Sequence, residues 1–414
     1  MIQHINPETE YKGIIQIPPS KSDSQRAILA AALANGTSVL KNIGVCKDEL
    51  AMLSVVQTLG AVVCQKEDCY EITGINVIPS NIAVNIGESG LAARLLSGIF
   101  ACNDGKQTIS GNGSVLSRKM AFYFKHQETL QCDVESHENY TLPLTFKNKI
   151  EKNDLTVNGG ESSQDISGLL YGLIFRGKPF NLHVLHLKSR PYLQMTLNTL
   201  AQFNATIDQQ NFEYFTFSAE QQLQACTYTI EGDWSSASFW LVASALGKDI
   251  AVDGLNLSSL QADKQLLNIL REANCSEIRS QFLMIDGDER TAIETDLTHC
   301  PDLFPALTTY CALTQGTSKL HGVHRLHNKE SDRAQALIDE FTKLGVKIHT
   351  HNDCLIIEGK ETLNGGTVNA HNDHRIAMCL AIAGMFATTP LTIENADCVE
   401  KSYPKFWEDL KKLT

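Results

Sequence analysis

Two patterns of apolar and polar positions alternate along the chain. The first is a loop rich in Gly, Ser, Asn or Asp that leads into a helix of small apolar residues. Its six copies are SKSDSQRAILAAAL from Ser20, GESGLAARLLSGIF from Gly87, ESSQDISGLLYGL from Glu161, GDWSSASFWLVASAL from Gly232, HCPDLFPALTTYCAL from His299 and HNDHRIAMCLAIAGMF from His371. Because these helices are apolar nearly all round, we predict that they are buried.

The second pattern is an amphipathic helix with apolar residues at i, i+3, i+4 and i+7, which predicts an outer helix with a charged face in water. Its copies begin near Asp48, Arg118, Ser189, Leu260, Lys329 and Lys401. Successive starts are 70, 71, 71, 69 and 72 residues apart. Two interleaved patterns that share one period predict a repeated structural unit.

Short β-branched runs, such as FNLHVLHL and CLIIEG, fill the gaps between the helices. Each unit is therefore predicted to be strand–helix–strand–helix followed by further strands, separated by turns such as Asn35-Gly36 and Gly365-Gly366. The predicted fold class is α/β, with six repeats of about 70 residues. A chain of 414 residues exceeds the ~250–300 residues of a single core, so we expect two similar halves of three repeats with a boundary near Glu231.

Composition excludes several classes of function. The net charge of −12 argues against nucleic acid as a partner, although a local cluster of Lys and Arg can still bind a small anion. No apolar run approaches the ~20 residues of a membrane span, and the N-terminus lacks a signal pattern. Twelve Cys without a C-x-x-C pair predict neither a disulfide framework nor a zinc cluster, so we expect a cytoplasmic protein.

Cations recur at the starts of these helices, where they are unexpected. Lys21 and Arg26 open the first buried helix, yet the positive end of the helix dipole disfavours a cation there by ~0.3–1 kcal/mol. Repetition of this mismatch implies a compensating anion, which is either a carboxylate of the protein or a ligand. Helix N-termini also bind phosphate and carboxylate groups through their N–H groups. Several of them converging on one cleft would bind a doubly anionic small molecule.

Each candidate residue also has a purely structural interpretation. Most loop Ser, Asn and Asp residues are expected to be N-caps, and Asp302 taken alone would more often be one. Glu330 can pair with Arg333 three residues further on. His374 is equally consistent with a structural hydrogen bond and a catalytic role. Gln164 is polar at a buried helix start, which favours contact with a ligand.

Several strings resemble the signatures of the enolpyruvyl transferase family. PPSKSDSQRA is similar to its opening signature, RLHNKESDR to the second and NDHRIAMCLAI to the third. ESSQ, SRPY, EGDWSSAS, CPD and KSYPKFW follow in the order found in the branch of the family that acts on shikimate 3-phosphate. The resemblance runs from about Gly13 to the C-terminus, and it covers nearly the whole chain.

The resemblance implies two domains, 20–231 and 1–19 with 232–414, each built from three βαβαββ units with buried helices and outer sheets. This arrangement is an inside-out α/β barrel, with the active site in the cleft between the domains. The first strand would belong to the C-terminal domain, because the chain crosses near Pro19–Ser20 and near Glu231. It also implies a monomer.

The resemblance also assigns ligand contacts, residue by residue. Shikimate 3-phosphate would contact Lys21, Ser22, Arg26, Ser162, Ser163, Gln164, Ser189, Tyr192, Asp302 and Lys329. Phosphoenolpyruvate would contact Lys21, Gly90, Arg118, Gln164, Arg333, Arg375 and Lys401. Arg side chains suit both substrates, since each carries a phosphate and a carboxylate that a guanidinium can bind through two hydrogen bonds. Tyr192 is equally consistent with packing.

The implied reaction moves the enolpyruvyl group of phosphoenolpyruvate to the 5-hydroxyl of shikimate 3-phosphate and releases phosphate. The hydroxyl adds to C2 while C3 is protonated, and phosphate leaves the tetrahedral intermediate. The resemblance suggests Asp302 as the base, Glu330 as the acid and Lys21 and Lys401 as groups that stabilise charge. No metal or organic cofactor is needed. Gly90 leaves room for phosphoenolpyruvate, so glyphosate is expected to bind in the same pocket.

Two alternatives stay open at this point. One is a family member that acts on UDP-N-acetylglucosamine, although the Cys usual in its loop is missing from 111–120. The other is a non-catalytic relative that only binds anions. Glu88 and Leu91 stand where the family usually has Asn and Thr, and an acid there would repel phosphoenolpyruvate unless Arg94 or Lys21 pairs with it.

Overall fold

A computed structural model describes residues 1–218 and 222–414 of the chain. Its α-helices are α1 (Lys21–Leu33), α2 (Lys47–Leu59), α3 (Gly90–Ala101), α4 (Phe122–Lys125), α5 (Gln127–Leu130), α6 (Ser163–Phe175), α7 (Arg190–Gln202), α8 (Trp234–Ala245), α9 (Leu266–Glu272), α10 (Phe304–Ala312), α11 (Arg333–Lys343), α12 (His374–Gly384) and α13 (Phe406–Lys412). Short 3-10 helices cover Gly113–Ser117, Glu138–Tyr140, Ala262–Gln265, Pro301–Leu303, Val323–Arg325 and Ala396–Lys401.

The strands are mostly four to six residues long. They are β1 (Ile2–Ile5), β2 (Lys12–Gln16), β3 (Thr37–Lys41), β4 (Val62–Gln65), β5 (Cys69–Thr73), β6 (Asn81–Asn85), β7 (Lys106–Ser110), β8 (Val134–His137), β9 (Thr141–Phe146), β10 (Asp154–Asn158), β11 (Phe180–Leu185), β12 (Asp208–Gln210), β13 (Tyr214–Phe217), β14 (Thr227–Thr229), β15 (Asp249–Asp253), β16 (Ser276–Arg279), β17 (Leu283–Asp286), β18 (Glu294–Asp296), β19 (Gly316–His321), β20 (Lys347–His351), β21 (Cys354–Gly359), β22 (Gly366–Asn369) and β23 (Leu391–Glu394).

The chain divides into two compact units. One consists of Met1–Pro18 and Gly232–Thr414, and the other of Pro19–Glu231. The chain therefore passes from one unit to the other twice. We call them the terminal unit, which holds both chain ends, and the central unit.

Three four-stranded sheets surround the helices of the central unit, in the orders β14-β3-β5-β4, β6-β7-β9-β8 and β10-β11-β13-β12. The third repeat shows the plan most simply. β10 pairs in parallel with β11, β11 pairs antiparallel with β13, and β13 pairs antiparallel with β12, so that the order along the chain is βαβαββ. β10 alternates exposed and buried positions, because one face of each strand packs on the helices and the other faces water.

The terminal unit repeats this plan with sheets β16-β17-β15-β2, β18-β19-β21-β20 and β1-β23-β22. β2 lies far ahead of the rest of its sheet in sequence and pairs in parallel with β15. β1 closes the last sheet against β23 in antiparallel register. The predicted α/β class, with six repeats of the βαβαββ type, is confirmed.

The first helix of each repeat is buried, as the sequence predicts. All residues of α8 except Ser235, and all residues of α12, are buried. In the central unit, α3 and α6 approach so closely that their backbones touch at Gly98 and Gly168, where a β-carbon on Gly98 would lie 1.9 Å from the Gly168 carbonyl carbon. This backbone contact fixes the distance between the N-termini of α3 and α6, each of which follows one of the polar loops.

The second helix of several repeats differs from the prediction. In the second repeat it is split into α4 and α5, because His126 leaves the helical path and its Nε2 accepts a hydrogen bond from the backbone N–H of Asn158. In the fourth and sixth repeats a 3-10 helix and a short α-helix, α9 or α13, take its place. No helix within the described residues is long and apolar enough to cross a bilayer.

Candidate active site

A dense ionic cluster occupies one end of the terminal unit, around Asp302. This residue lies in the 3-10 helix that precedes α10, so it is not the N-cap that its sequence position alone suggested. Its Oδ1 accepts hydrogen bonds from Lys329 Nζ at 3.2 Å and Arg333 Nη1 at 2.9 Å. Its Oδ2 accepts one from Arg375 Nη2 at 3.2 Å. One carboxylate thus binds three cations from two segments, the start of α11 with the loop before it and the start of α12.

The charges of this cluster set the protonation state of Asp302. Partial burial alone would raise the pKa of its carboxyl, but Arg375, Lys329 and Arg333 together hold that pKa well below its usual range. Asp302 is therefore an ionised carboxylate across the physiological range, and any proton it accepts must be favoured by a change in its surroundings.

Arg333 is the most buried cation of the cluster, with 1% of its surface exposed. Its Nε donates to Asp373 Oδ2 at 2.9 Å and its Nη2 to Glu330 Oε2 at 2.7 Å. Asp373 also caps α12 by accepting from the Arg375 backbone N–H at 3.0 Å. These carboxylates raise the pKa of Arg333 against the opposing effect of burial. Arg333 consequently stays charged and has fixed orientation.

Glu330 links this cluster to the C-terminal segment. One of its oxygens pairs with Arg333, and the other lies 3.6 Å from Lys401 Nζ at the end of the last 3-10 helix. Both side chains are about 10% exposed. His374 is buried next to Asp373, with its Nδ1 3.9 Å from the nearer carboxylate oxygen. The structure therefore brings together the six candidates of this unit, namely Asp302, Lys329, Glu330, Arg333, Arg375 and Lys401.

Asp263, which the sequence reasoning missed, lies close to this cluster. It is buried in the 3-10 helix before α9 and accepts a hydrogen bond from Ser235 Oγ near the start of α8. Burial, and after it the negative charge of Asp302, raises the pKa of Asp263 to about 7. The sequence around Asp263, QADKQ, is short and polar, so nothing in it distinguishes this buried acid from one on the surface.

A second set of candidates lies in the central unit, at the starts of α1 and α7. Lys21 Nζ pairs with Asp48 at 3.1 Å, which joins the first turn of α1 to the first turn of α2. Arg26 is buried, and it donates to the backbone carbonyl of Ser22 at 2.7 Å and to that of Tyr192 at 3.2 Å. It thereby ties the first turn of α1 to the start of α7.

The N-termini of α3 and α6 lie side by side in the same unit. Ser89 and Ser162 cap these helices by accepting from the backbone N–H groups of Ala92 and Gln164. Arg94 Nη1 lies 3.4 Å from Gln164 Oε1, so the side chain of α3 reaches the first turn of α6. The N-cap interpretation of these loop serines is therefore correct for the two that start these helices.

Asp165 supplies the counter-charge to Arg94. Its Oδ2 lies 3.7 Å from Arg94 Nε, and burial raises its pKa to about 6 against the lowering effect of that arginine. Ser163 is buried in the first turn of α6 and Ser189 is buried at the N-cap of α7, with a left-handed backbone (φ 54°). Sequence reasoning named Gln164 and missed Asp165 beside it, since an acid in a first helical turn is ordinary.

Gly90 marks the point where two guanidinium groups meet at the start of α3. A β-carbon on Gly90 would lie 2.8 Å from Arg118 Nη1 and 3.2 Å from Arg94 Nη1. Arg118 is 7% exposed and lies directly after the 3-10 helix Gly113–Ser117. Two arginines over a helix N-terminus form an environment that favours a phosphate or carboxylate.

Comparison with known proteins assigns the chain to a family of enzymes. The family model for EPSP synthase (3-phosphoshikimate 1-carboxyvinyltransferase) matches residues 5–410. Curated relatives named 3-phosphoshikimate 1-carboxyvinyltransferase are 34% identical in Clostridium kluyveri, over 99% of this chain and 96% of the relative, and 37% identical in Clostridium perfringens strain SM101, over 98% and 97%. The solved EPSP synthase of Acinetobacter baumannii matches the fold with a TM-score of 0.81 at 24% identity, over 100% of this chain and 98% of that one.

The chain therefore belongs to the EPSP synthase family, and the resemblance drawn from its sequence signatures is confirmed. The family is one of transferases of the shikimate pathway, so the two alternatives raised by the sequence are not favoured.

Proposed function

We propose that this enzyme transfers the enolpyruvyl group of phosphoenolpyruvate to the 5-hydroxyl of shikimate 3-phosphate and releases phosphate. The observation that carries the assignment of roles is the carboxylate of Asp302, which contacts Lys329, Arg333 and Arg375 at once. This contact supports the proposal because the proposed base adjoins three of the proposed substrate ligands within the terminal unit. The residues of the central unit act on the same two substrates.

Asp302 is the general base in this proposal. Its low pKa makes it a weak base as the cluster stands, because three cations stabilise its charge. Arg333 and Arg375 are also the proposed ligands of phosphoenolpyruvate. When they bind a substrate carboxylate or phosphate, part of their positive charge is neutralised and the pKa of Asp302 rises. Substrate binding itself would then prepare the base to accept the proton of the 5-hydroxyl.

Glu330 is the proposed proton donor to C3, with Lys401 and Lys21 stabilising charge that develops on the reacting groups. Arg118, Gly90 and Gln164 complete the proposed set of phosphoenolpyruvate contacts. Asp302 accepts the hydroxyl proton and Glu330 protonates C3 as the C2–O bond forms, which gives the tetrahedral intermediate. In the elimination the Glu330 carboxylate takes a proton back from C3 as the bond from C2 to the phosphate oxygen breaks, so the C2=C3 double bond of the enol ether forms and the leaving phosphate takes the proton from Asp302. Every proton and every leaving group of this sequence is accounted for by side chains and substrates, without a cofactor.

Shikimate 3-phosphate is proposed to contact the remaining polar residues of the central unit, which are Ser22, Arg26, Ser162, Ser163, Ser189 and Tyr192. Arg26 contributes mainly by holding the first turn of α1 to α7, since its guanidinium donates to protein oxygens of both helices. We also propose a cytoplasmic monomer made of the domains 20–231 and 1–19 with 232–414.

The test measures phosphate release from the purified protein with both substrates, one substrate or neither. Release that requires both substrates supports the reaction. Asp302→Ala should lower kcat by roughly 10²–10⁴-fold, the usual contribution of a general base. Asp339→Ala, on the exposed side of α11, is the matched control and should leave the rate unchanged.

Two results would contradict the proposal. Full activity in Asp302→Ala would remove Asp302 from the chemistry, and phosphate release without shikimate 3-phosphate would contradict the transfer reaction. Glyphosate belongs in the same assay, because we propose that it occupies the phosphoenolpyruvate contacts beside Gly90. Calorimetry with shikimate 3-phosphate present should then detect a ternary complex.

A further inference from the structure

We propose that Glu88 is a positioning residue that holds Arg118 in place to bind phosphoenolpyruvate. The inference rests on the proposed function, in which Arg118 contacts that substrate. Glu88 lies in the loop before α3, two residues ahead of Gly90. Sequence reasoning treated its negative charge as a hazard for an anionic substrate, and the structure shows what holds that charge.

The carboxylate of Glu88 accepts two hydrogen bonds from one residue. Oε2 receives the backbone N–H of Ser114 at 3.1 Å and the Ser114 hydroxyl at 2.9 Å. Ser114 is the second residue of the 3-10 helix Gly113–Ser117, so the carboxylate lies at the positive end of that helix. The negative charge is thus directed at backbone and hydroxyl donors of the neighbouring loop.

Arg118 is the residue at which this 3-10 helix ends. Its backbone N–H donates to the Val115 carbonyl at 3.2 Å, so its position depends on the last turn of the helix. Its guanidinium lies next to Gly90, since a β-carbon at position 90 would be 2.8 Å from Arg118 Nη1. The loop before α3 therefore meets both ends of the segment 114–118, because Glu88 binds Ser114 at its start and Gly90 lies next to the Arg118 guanidinium at its end.

Gly113 is shaped to receive this carboxylate. A β-carbon at position 113 would lie 2.4 Å from Glu88 Cδ and 2.5 Å and 2.7 Å from its two oxygens. Its φ of +59° also lies in the left-handed region that favours glycine. A backbone hydrogen bond from the Asn112 N–H to the Gly87 carbonyl, at 2.8 Å, joins the two loops one residue before Gly113 and one residue before Glu88.

The expected phenotype is a defect in phosphoenolpyruvate binding alone. Without the carboxylate, the 3-10 helix loses its N-terminal acceptor and Arg118 loses its fixed approach to Gly90. Glu88→Ala should raise the KM for phosphoenolpyruvate about 10-fold or more, whereas the Kd for shikimate 3-phosphate in the binary complex stays within about 2-fold. Gly113→Ala should give the same pattern, because it displaces the carboxylate and leaves every polar group present.

The experiment is a double-mutant cycle between Glu88→Ala and Arg118→Lys, with KM and kcat measured for each variant and Kd for shikimate 3-phosphate measured by calorimetry. Leu116→Ala, at an exposed position of the same 3-10 helix, is the control and should match the wild type. If Glu88 acts through Arg118, the two effects on KM will be clearly less than multiplicative. Glu88→Gln serves if the alanine variant does not fold.

The outcomes separate this inference from the function on which it rests. An unchanged KM in Glu88→Ala, or fully multiplicative effects in the double variant, would overturn the positioning role of Glu88. An unchanged KM in Arg118→Lys would instead remove Arg118 from the phosphoenolpyruvate site, and the inference would fall with that assignment. Equal losses of affinity for phosphoenolpyruvate and shikimate 3-phosphate in Glu88→Ala would show a general structural defect, and this result would also refute the positioning role.

Discussion

The contact between α3 and α6 predicts a large effect from the smallest possible substitution. Replacing Gly98 with Ala would place a methyl carbon 1.9 Å from the Gly168 carbonyl carbon, 2.0 Å from its oxygen and 2.3 Å from the Leu169 nitrogen. Contacts of this kind are essentially never shorter than 3.0 Å, and here the opposing atoms are backbone. The helices must therefore separate by about 1 Å or more.

The magnitude follows from two opposing terms. Alanine is favoured over glycine inside a helix by about 1 kcal/mol. Overpacking of a dense core costs ~1–3 kcal/mol, and the upper end applies because no flexible side chain can move aside. We expect Gly98→Ala to lower the free energy of unfolding by about 2 kcal/mol. Since Gly90, Arg94 and Gln164 lie at the starts of the two helices, the KM for phosphoenolpyruvate should rise as well.

Urea unfolding followed by circular dichroism measures the stability term. Ser97→Ala, one residue earlier on α3, is the matched control, because it removes only a hydroxyl that donates to the Ala93 carbonyl. The control should change stability by less than about 1 kcal/mol. A Gly98→Ala variant that is as stable as the wild type, or more stable, would refute the close approach of the two helices.

Two further predictions concern buried carboxylates. Burial raises the pKa of Asp23 from 3.8 to about 6, so its contribution to stability is fully present below about pH 4 and is lost as the pH rises through about 6. Between pH 5 and pH 8 the expected loss is ~1.4 kcal/mol, because pH 5 lies about one unit below the folded pKa, and Asp23→Asn should remove this difference in urea titrations at those two pH values. Asp373→Ala removes the most deeply buried of the three carboxylates that pair with Arg333. It should cost ~3 kcal/mol, the lower end for breaking a buried pair because Asp302 and Glu330 remain, against about 1 kcal/mol for the exposed N-cap variant Asp332→Ala, and equal losses in the two variants would contradict this view of the cluster.

The fold could be predicted from the sequence because the patterns of apolar and polar residues recur at a constant period. A repeat near 70 residues fixes the number of units, and the contrast between all-apolar and amphipathic helices fixes which ones are buried. The interruption at His126 could not be predicted in the same way. It depends on an acceptor for the Asn158 N–H, which is 32 residues away in the sequence. The local pattern of apolar and polar residues in a helix carries no information about such a long-range hydrogen bond.

The candidate site was predictable in its cations and not in its counter-ions. Lys21, Arg94 and Arg333 stand out because a cation at a helix start is unfavourable. Asp373 and Asp165 do not, because an acid at a helix start is ordinary. Arg333 and Asp373 are 40 residues apart, and only the fold shows that they form a buried pair. Family signatures supplied the proposed ligand contacts, but they gave no reason for the glutamate at position 88.

The cations at unfavourable helix starts are stabilised by the acids that looked ordinary in the sequence. In the structure Lys21 pairs with Asp48, Arg94 with Asp165, and Arg333 with Asp302 and Asp373. A buried cation without a partner would cost several kcal/mol, so these carboxylates make the site stable without a substrate.

If substrates bind to these cations as proposed, the same ion pairs affect their affinity. An incoming phosphate or carboxylate has to compete with an internal carboxylate for each cation, which lowers affinity for any single anion. A ligand with two anionic groups can displace or share several pairs at once, so the arrangement favours doubly anionic molecules over simple ones. Where the shared carboxylate is Asp302, the weakening of its pairs is also what would raise its pKa. Selection of the substrate and activation of the base would then be one electrostatic event.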